Sequence, residues 1–177
     1  MGKTTNEAVT NIVTPKTTDL SVRMRHGRAV NAVADYLRSQ LRVPNVYIDP
    51  SGAGLGRVDV LAADAAGSGD IHAVEVKVLT RPTLTKEMRL WVETAKGLPA
   101  HFKYLAIPKN ITNIGADLGL FSPDGIGRVG ILLITESRDQ LKVELAINPE
   151  RFRLDASESV QIERFLNRAQ PDMYVRL

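Results

Sequence analysis

Two neighbouring segments with alternating side chains constrain the fold of this chain most strongly. Residues 57–63 and 71–78 are rich in valine and alanine and place charged residues at alternate positions. A period of two is typical of β-strands that have one face against a core. The connection at residues 65–70 consists of Ala, Gly, Ser and Asp, which favour turns. These segments therefore predict an antiparallel hairpin.

Helical periodicity surrounds this hairpin. Apolar residues recur at helical spacing over residues 23–41 and again from Met88 to Ala95. Residues 46–48 predict a short strand before the hairpin, and residues 101–107 predict another strand after the second helix. A helix between two strands favours parallel pairing of those strands. The order helix, three strands, helix, strand predicts an α/β fold with a mixed central sheet flanked by helices.

The C-terminal third extends this core. Residues 129–135 and 141–147 predict a second hairpin. Apolar residues around Phe165 then recur at helical spacing, and the pattern Asp155-x-x-Glu158 predicts a capping box at the start of that last helix.

Composition limits the class of protein. A chain of 177 residues matches one domain, which we assign to residues 21–177. Residues 1–20 are polar and lack periodicity, so we expect a flexible N-terminal arm. The absence of cysteine excludes disulfides and thiolate zinc sites. No apolar run approaches the roughly 18 residues of a membrane span, and we expect a soluble cytoplasmic protein without a membrane partner.

Basic residues are concentrated in two places. The formal net charge is +3 and the pI about 9.3. Residues 77–109 contain seven basic and two acidic residues, and a second basic group lies on or beside the first predicted helix. Such groups suit a phosphate backbone, although solvated helix faces have the same composition. The candidate nucleic-acid contacts are Arg25, Arg28, Arg81, Lys86 and Arg89.

The hairpin carries the candidate catalytic residues. Strand alternation places Glu75 and Lys77 on one face, and register can bring Asp59 of the neighbouring strand beside Glu75. Two adjacent carboxylates repel each other unless a cation lies between them, and Mg²⁺ or Mn²⁺ meets that need. A metal and an ammonium together suit phosphodiester hydrolysis. The alternative is a surface ion pair between Glu75 and Lys77, with Asp59 simply solvated.

This pattern resembles the PD-(D/E)XK nuclease superfamily: Asp59, fifteen intervening residues, then Glu75-Val76-Lys77. The layout is similar to that of Holliday-junction resolvases and Mrr-like nucleases over residues 23–109. The resemblance implies a restriction-endonuclease-like αβββαβ core, here with an added C-terminal hairpin and helix. It also implies that Asp59, Glu75 and the main-chain carbonyl of Val76 bind the metal, while Lys77 assists the attacking water.

Some members of the superfamily carry a further acidic ligand on the first helix. This chain has Asn31 in that region, with Asp35 one turn later, and both are candidate accessory residues. Ser51 begins the glycine-rich segment 51–56 and is a third candidate, since it could approach the scissile backbone. His26 is a candidate only for a phosphate contact, because it lies beside Arg25 and Arg28.

These observations predict a Mg²⁺-dependent endodeoxyribonuclease. We expect DNA rather than RNA as the substrate, and a homodimer, because two cuts often require two active sites. Two alternatives remain open: a catalytically inactive DNA-binding module with the nuclease fold, and a subunit of a larger nucleic-acid-processing assembly.

Overall fold

The computed structural model describes residues 17–50, 55, 58–64, 69–78, 85–111, 127–137 and 140–169, with the side chains of 17–24, 85–87 and 111 left out. Three α-helices and six β-strands lie in these ranges. In chain order they are α1 (Thr17–Ser39), β1 (Asn45–Ile48), β2 (Val60–Ala63), β3 (Ile71–Val76), α2 (Thr85–Lys96), β4 (Phe102–Pro108), β5 (Gly130–Ser137), β6 (Gln140–Ile147) and α3 (Ala156–Leu166). A short 3-10 helix, Lys109–Ile111, follows β4.

The six strands form one mixed sheet in the order β1 to β6. β2 and β3 pair antiparallel, with Val60 opposite Val74, which confirms the predicted hairpin. β4 runs parallel to β3, as the intervening helix predicted, and β5 runs parallel to β4. The second predicted hairpin is confirmed as the antiparallel pair β5 and β6. The protein is therefore an α/β protein with a mixed central sheet, as expected.

Helices cover both faces of the sheet. On one face α1 packs Val33 and Leu37 into a cluster with alternate strand residues such as Val74. On the other face α2 and α3 contribute Val92 and Phe165 to a second cluster. Alternate residues of each strand enter different clusters, as a period of two requires. The sheet is thus buried on both sides, which explains why its central strands are almost wholly apolar.

The starts of α1 and β2 differ from the sequence prediction. α1 begins at Thr17, inside the segment 1–20 that was assigned to an arm. The start of this helix is rich in Thr and Asp and shows no apolar periodicity, so the sequence pattern does not mark it. Residues 1–16 lie outside the described residues. β2 begins at Val60, three residues later than expected, and the Asp59 side chain just before it accepts the N–H of Val76 at the end of β3.

The last helix begins as predicted. Asp155 is its N-cap and accepts the N–H of Glu158 at 2.8 Å, while the Glu158 carboxylate accepts the N–H of Asp155 at 2.9 Å. This reciprocal pair satisfies two backbone donors at the start of α3. Among the described residues, no helix has the length and apolar character needed to cross a membrane.

Candidate active site

Asp59 lies immediately before β2 and is tied to the strands on both sides. Its Oδ2 accepts the N–H of Val76 at 2.6 Å, and its main-chain oxygen accepts the N–H of Asp49 at 2.9 Å. The neighbouring valines enter different core clusters, Val58 with α2 and Val60 with α1. Asp59 therefore precedes the regular part of the strand. Its carboxylate is nonetheless fixed at the end of β3.

Glu75 and Lys77 form the second part of the site. The Glu75 side chain is only 5% exposed, and its Oε1 accepts a hydrogen bond from Lys77 Nζ. The N–H of Lys77 donates to Ala106 of β4 at 2.8 Å, which holds the chain in place just beyond the strand. The predicted sharing of one face by Glu75 and Lys77 is confirmed by this contact. The buried carboxylate of Glu75 and the partly exposed ammonium of Lys77 thus lie side by side at the end of β3.

The two carboxylates influence each other. Burial raises the pKa of the Glu75 carboxyl, the hydrogen bond from Lys77 opposes that effect, and the charge of Asp59 raises the pKa further. The last regular pair of the hairpin, Val60 with Val74, lies one step from Asp59 and Glu75. The structure therefore brings Asp59, Glu75 and Lys77 to one place, as the sequence predicted.

A histidine from α1 joins this group. Nε2 of His26 lies 3.2 Å from the main-chain oxygen of Val76 and 3.6 Å from Oδ1 of Asp59. The Asp59 carboxylate beside the ring raises the pKa of His26, and burial works against that rise. Sequence reasoning gave His26 only a phosphate-contact role, since nothing in its spacing relates it to residues 33 and 50 positions later. His26 therefore contacts the same two oxygens that the resemblance assigns to metal binding.

The accessory residues predicted on α1 lie elsewhere. Asn31 and Asp35 are exposed, and Asp35 accepts a hydrogen bond from Arg38 at 3.3 Å. Asp35 is nine residues beyond His26 along α1, or about 13 Å at 1.5 Å per residue. The structure does not bring these two side chains to the site. Ser51 lies outside the described residues.

The predicted basic contacts are distributed over both faces. Arg25 and Arg28 are exposed on α1 beside His26, whereas Arg89 is exposed on α2, which packs against the opposite face. Arg81 and the side chain of Lys86 lie outside the described residues. Lys103, which the sequence counted in the basic segment, is buried and donates to the Lys96 carbonyl at 2.8 Å. Lys103 therefore stabilises the end of α2 and adds nothing to a basic surface.

The donor chemistry of the site fits a hard divalent cation. Two carboxylates and the Val76 carbonyl are oxygen ligands of the kind that Mg²⁺ and Mn²⁺ prefer. In the part of the chain that the structure describes, no three His, Asp or Glu side chains are grouped to hold a metal. Glu75 bonds to Lys77 and Asp59 to the Val76 N–H. These bonds use Oε1 of Glu75 and Oδ2 of Asp59, so each carboxylate has a second oxygen that could coordinate a cation.

The other two histidines have packing roles. The ring of His72 stacks on Phe102 at 4.9 Å between centroids and on Tyr104 at 5.9 Å. Nδ1 of His101 accepts the N–H of Ile71 at 3.0 Å. Burial lowers the pKa of His72 below its ordinary value of 6.5.

The lowered pKa of His72 predicts that acid destabilises the fold. Below about pH 6.5 the unfolded chain binds a proton at His72 that the folded protein resists, so stability present above that pH is lost as the pH falls. Urea unfolding between about pH 7.5 and 5.5 should show a smaller loss in His72→Gln than in the wild type. An unchanged pH dependence in the variant would contradict the prediction.

A comparison with solved structures found a protein with a similar fold. A solved structure of a protein of unknown function from Silicibacter pomeroyi is similar to this chain, with a TM-score of 0.50 and 17% identity. The similarity covers 80% of this chain and 84% of that chain. No known protein family and no curated protein matches the sequence. At this identity the likeness concerns the fold alone.

Proposed function

We propose that this protein is a metal-dependent nuclease that hydrolyses phosphodiester bonds in DNA. The observation that carries the proposal is the meeting of the Asp59 carboxylate, the Glu75–Lys77 pair and the Val76 carbonyl at the end of β3. Arg25 and Arg28 lie beside this point on α1. A buried carboxylate next to an ammonium contributes little to stability at the end of a strand, because apolar residues would fill that space without the free-energy cost of desolvating two charges.

The fold of the first four strands supports the proposal. β1, β2 and β3 form an antiparallel meander, and β4 joins β3 in parallel after the α2 crossover. This is the order that the resemblance to the PD-(D/E)XK superfamily implies. We propose that residues 17–108 form a restriction-endonuclease-like core, with β5, β6 and α3 as an extension.

Each residue then has a defined task. Asp59, Glu75 and the Val76 carbonyl would hold the cation, which when bound supplies positive charge to the phosphate and lowers the pKa of water. Lys77 is positioned by Glu75, so that its ammonium can orient the attacking water and stabilise charge on the phosphate. Arg25 and Arg28 would bind neighbouring phosphates as guanidinium groups do. His26 keeps the Val76 carbonyl and Asp59 in place through its contacts with both.

A second candidate function is DNA binding without catalysis. The observation favouring it is that His26, Lys77 and the Val76 N–H already satisfy both carboxylates from within the protein. Such a protein would bind DNA through its basic residues alone, and the affinity would fall steeply with salt. We also propose that the protein forms a homodimer, and a subunit role in a larger nucleic-acid-processing assembly is a third candidate.

A cleavage assay separates these functions. We expect Mg²⁺- or Mn²⁺-dependent cleavage of at least one of three substrates: supercoiled plasmid, single-stranded DNA and a four-way junction. Cleavage of RNA and DNA molecules with the same base sequence tests whether DNA is the preferred substrate. Salt-sensitive binding of all three DNAs with no cleavage in either metal would reject the nuclease and favour the binding module.

A further inference from the structure

A cavity of about 460 Å³ opens beside the candidate active site. It lies between α1, the residues that follow β3 and β4, and the β5–β6 hairpin. We call it the α1 pocket and define it by Arg25, Ala29, Val78, Asn110, Ile134 and Leu141 among its lining residues. Its volume falls within the range of small-ligand sites in proteins. The α1 pocket is therefore large enough for one nucleotide.

The walls of the α1 pocket combine an apolar floor with a few polar groups. Ala29, Val78 and Ile134 provide the floor, and Asn110 also lines the pocket. The amide of an asparagine side chain can donate and accept hydrogen bonds at the edge of a planar ring. Apolar surface with a small number of polar groups is the usual composition of a site for a flat heterocycle.

The rim of the α1 pocket is basic. Arg25 is exposed, and in the described part of the chain none of the ion pairs involves it. Arg28 also lines the pocket, 3.7 Å from Glu136, and Lys109 lies 2.7 Å from Glu144. The guanidinium of Arg25 is therefore the group best placed to bind an added anion, and a phosphate suits its fork of donors.

The α1 pocket lies at the end of β3, and its lining residues are next to candidate active-site residues in the chain. Val78 follows Lys77, and Arg25 precedes His26 on α1. Val78 lies on the face of the sheet that α1 covers, whereas strand alternation directs Lys77 to the other face. A strand of DNA that presents a phosphate to Lys77 and continues around the end of β3 would therefore bring a further nucleotide to the mouth of the α1 pocket.

We propose that the α1 pocket binds one unpaired nucleotide of the substrate, with its base on the apolar floor and its phosphate at Arg25. This inference rests on the proposed nuclease function and names its substrate class. A base inside a duplex is stacked and cannot enter a pocket unless it is extruded at a cost in free energy. The preferred substrates are therefore single-stranded, flapped or junction DNA, and fully paired duplex is a poor substrate.

Calorimetric titration with small ligands tests the pocket without any metal. In EDTA, deoxyadenosine monophosphate should bind with a dissociation constant of about 1 mM or lower. Deoxyribose 5-phosphate, which lacks the base, should bind at least about tenfold more weakly, because it loses the apolar contacts. Equal binding of the two ligands, or no binding of the nucleotide, would overturn the proposal.

Two pocket variants and a matched control locate the ligand. Arg25→Ala should weaken nucleotide binding about tenfold, the size expected for one charge-assisted contact. Arg164→Ala removes an exposed arginine from α3 on the opposite face and should leave binding unchanged. Leu141→Trp fills the pocket from the α1 face of β6 and should abolish the difference between the two ligands, and thermal unfolding checks its fold. Equal weakening in Arg25→Ala and Arg164→Ala would contradict the assignment.

Cleavage measurements separate this inference from the proposed function. Wild-type protein should cleave a flapped DNA faster than the matched full duplex, and Leu141→Trp should remove that preference. Cleavage of both DNAs at the same rate by wild-type protein would reject the pocket and keep the nuclease. Base-dependent nucleotide binding in a protein that cleaves no DNA would reject the nuclease and keep the pocket.

Discussion

Replacing Lys77 with alanine should lower the rate of DNA cleavage by about 10³-fold, the size typical of losing a group that acts on the reacting water. Lys77 Nζ is held by the Glu75 carboxylate, so the ammonium has a fixed position at the end of β3. Its removal also leaves a buried carboxylate without its cation. Single-turnover cleavage of one labelled DNA, at saturating protein, measures the change in the chemical step.

Two further variants make this result specific. Glu75→Gln keeps the volume of the side chain and removes its charge, so it should also lose cleavage while the thermal unfolding midpoint is retained. Lys142→Ala removes an exposed lysine from β6 and should cleave at the wild-type rate. Wild-type cleavage by both Lys77→Ala and Glu75→Gln would show that these residues are not catalytic.

Replacing Leu37 with alanine should lower the free energy of unfolding by about 3 kcal/mol. Leu37 is fully buried on α1 and packs in the cluster that covers one face of the sheet. The loss combines the removal of apolar burial with the cavity left behind, since α1 cannot collapse onto the strands without moving its other contacts. Urea unfolding measures the change.

Leu90 provides the matched control for this prediction. It is 64% exposed on α2, so Leu90→Ala should change the free energy of unfolding by no more than about 0.5 kcal/mol. Similar losses in the two variants would contradict the two-faced packing of the sheet. A selective loss in Leu37→Ala supports α1 as part of the core that positions His26.

Regular features of the fold could be predicted from the sequence. The alternation around Glu75 predicts a strand with Glu75 and Lys77 on one face, and their ion pair agrees with that. The helix between β3 and β4 correctly predicts their parallel pairing. The capping pattern at Asp155 correctly marks the start of α3. Each of these depends on local periodicity or short-range chemistry, which the sequence displays directly.

The irregular parts of the site could not be predicted in the same way. Asp59 lies just before its strand, and its carboxylate accepts the Val76 N–H at the end of β3. His26 reaches Val76 and Asp59 only because α1 crosses the end of β3, and no spacing rule relates such distant positions. Lys103 is buried because it bonds to the end of α2, although its charge suggested a surface position. These features depend on tertiary packing, which overrides local preference.

The most direct test of this account is to restore metal to a metal-free protein. Protein treated with EDTA and then dialysed should not cleave single-stranded DNA, and added Mg²⁺ or Mn²⁺ should restore cleavage in the wild type but not in Glu75→Gln. This result would support a cation held by Asp59, Glu75 and Val76. Undiminished cleavage in EDTA, or full restoration in Glu75→Gln, would contradict it.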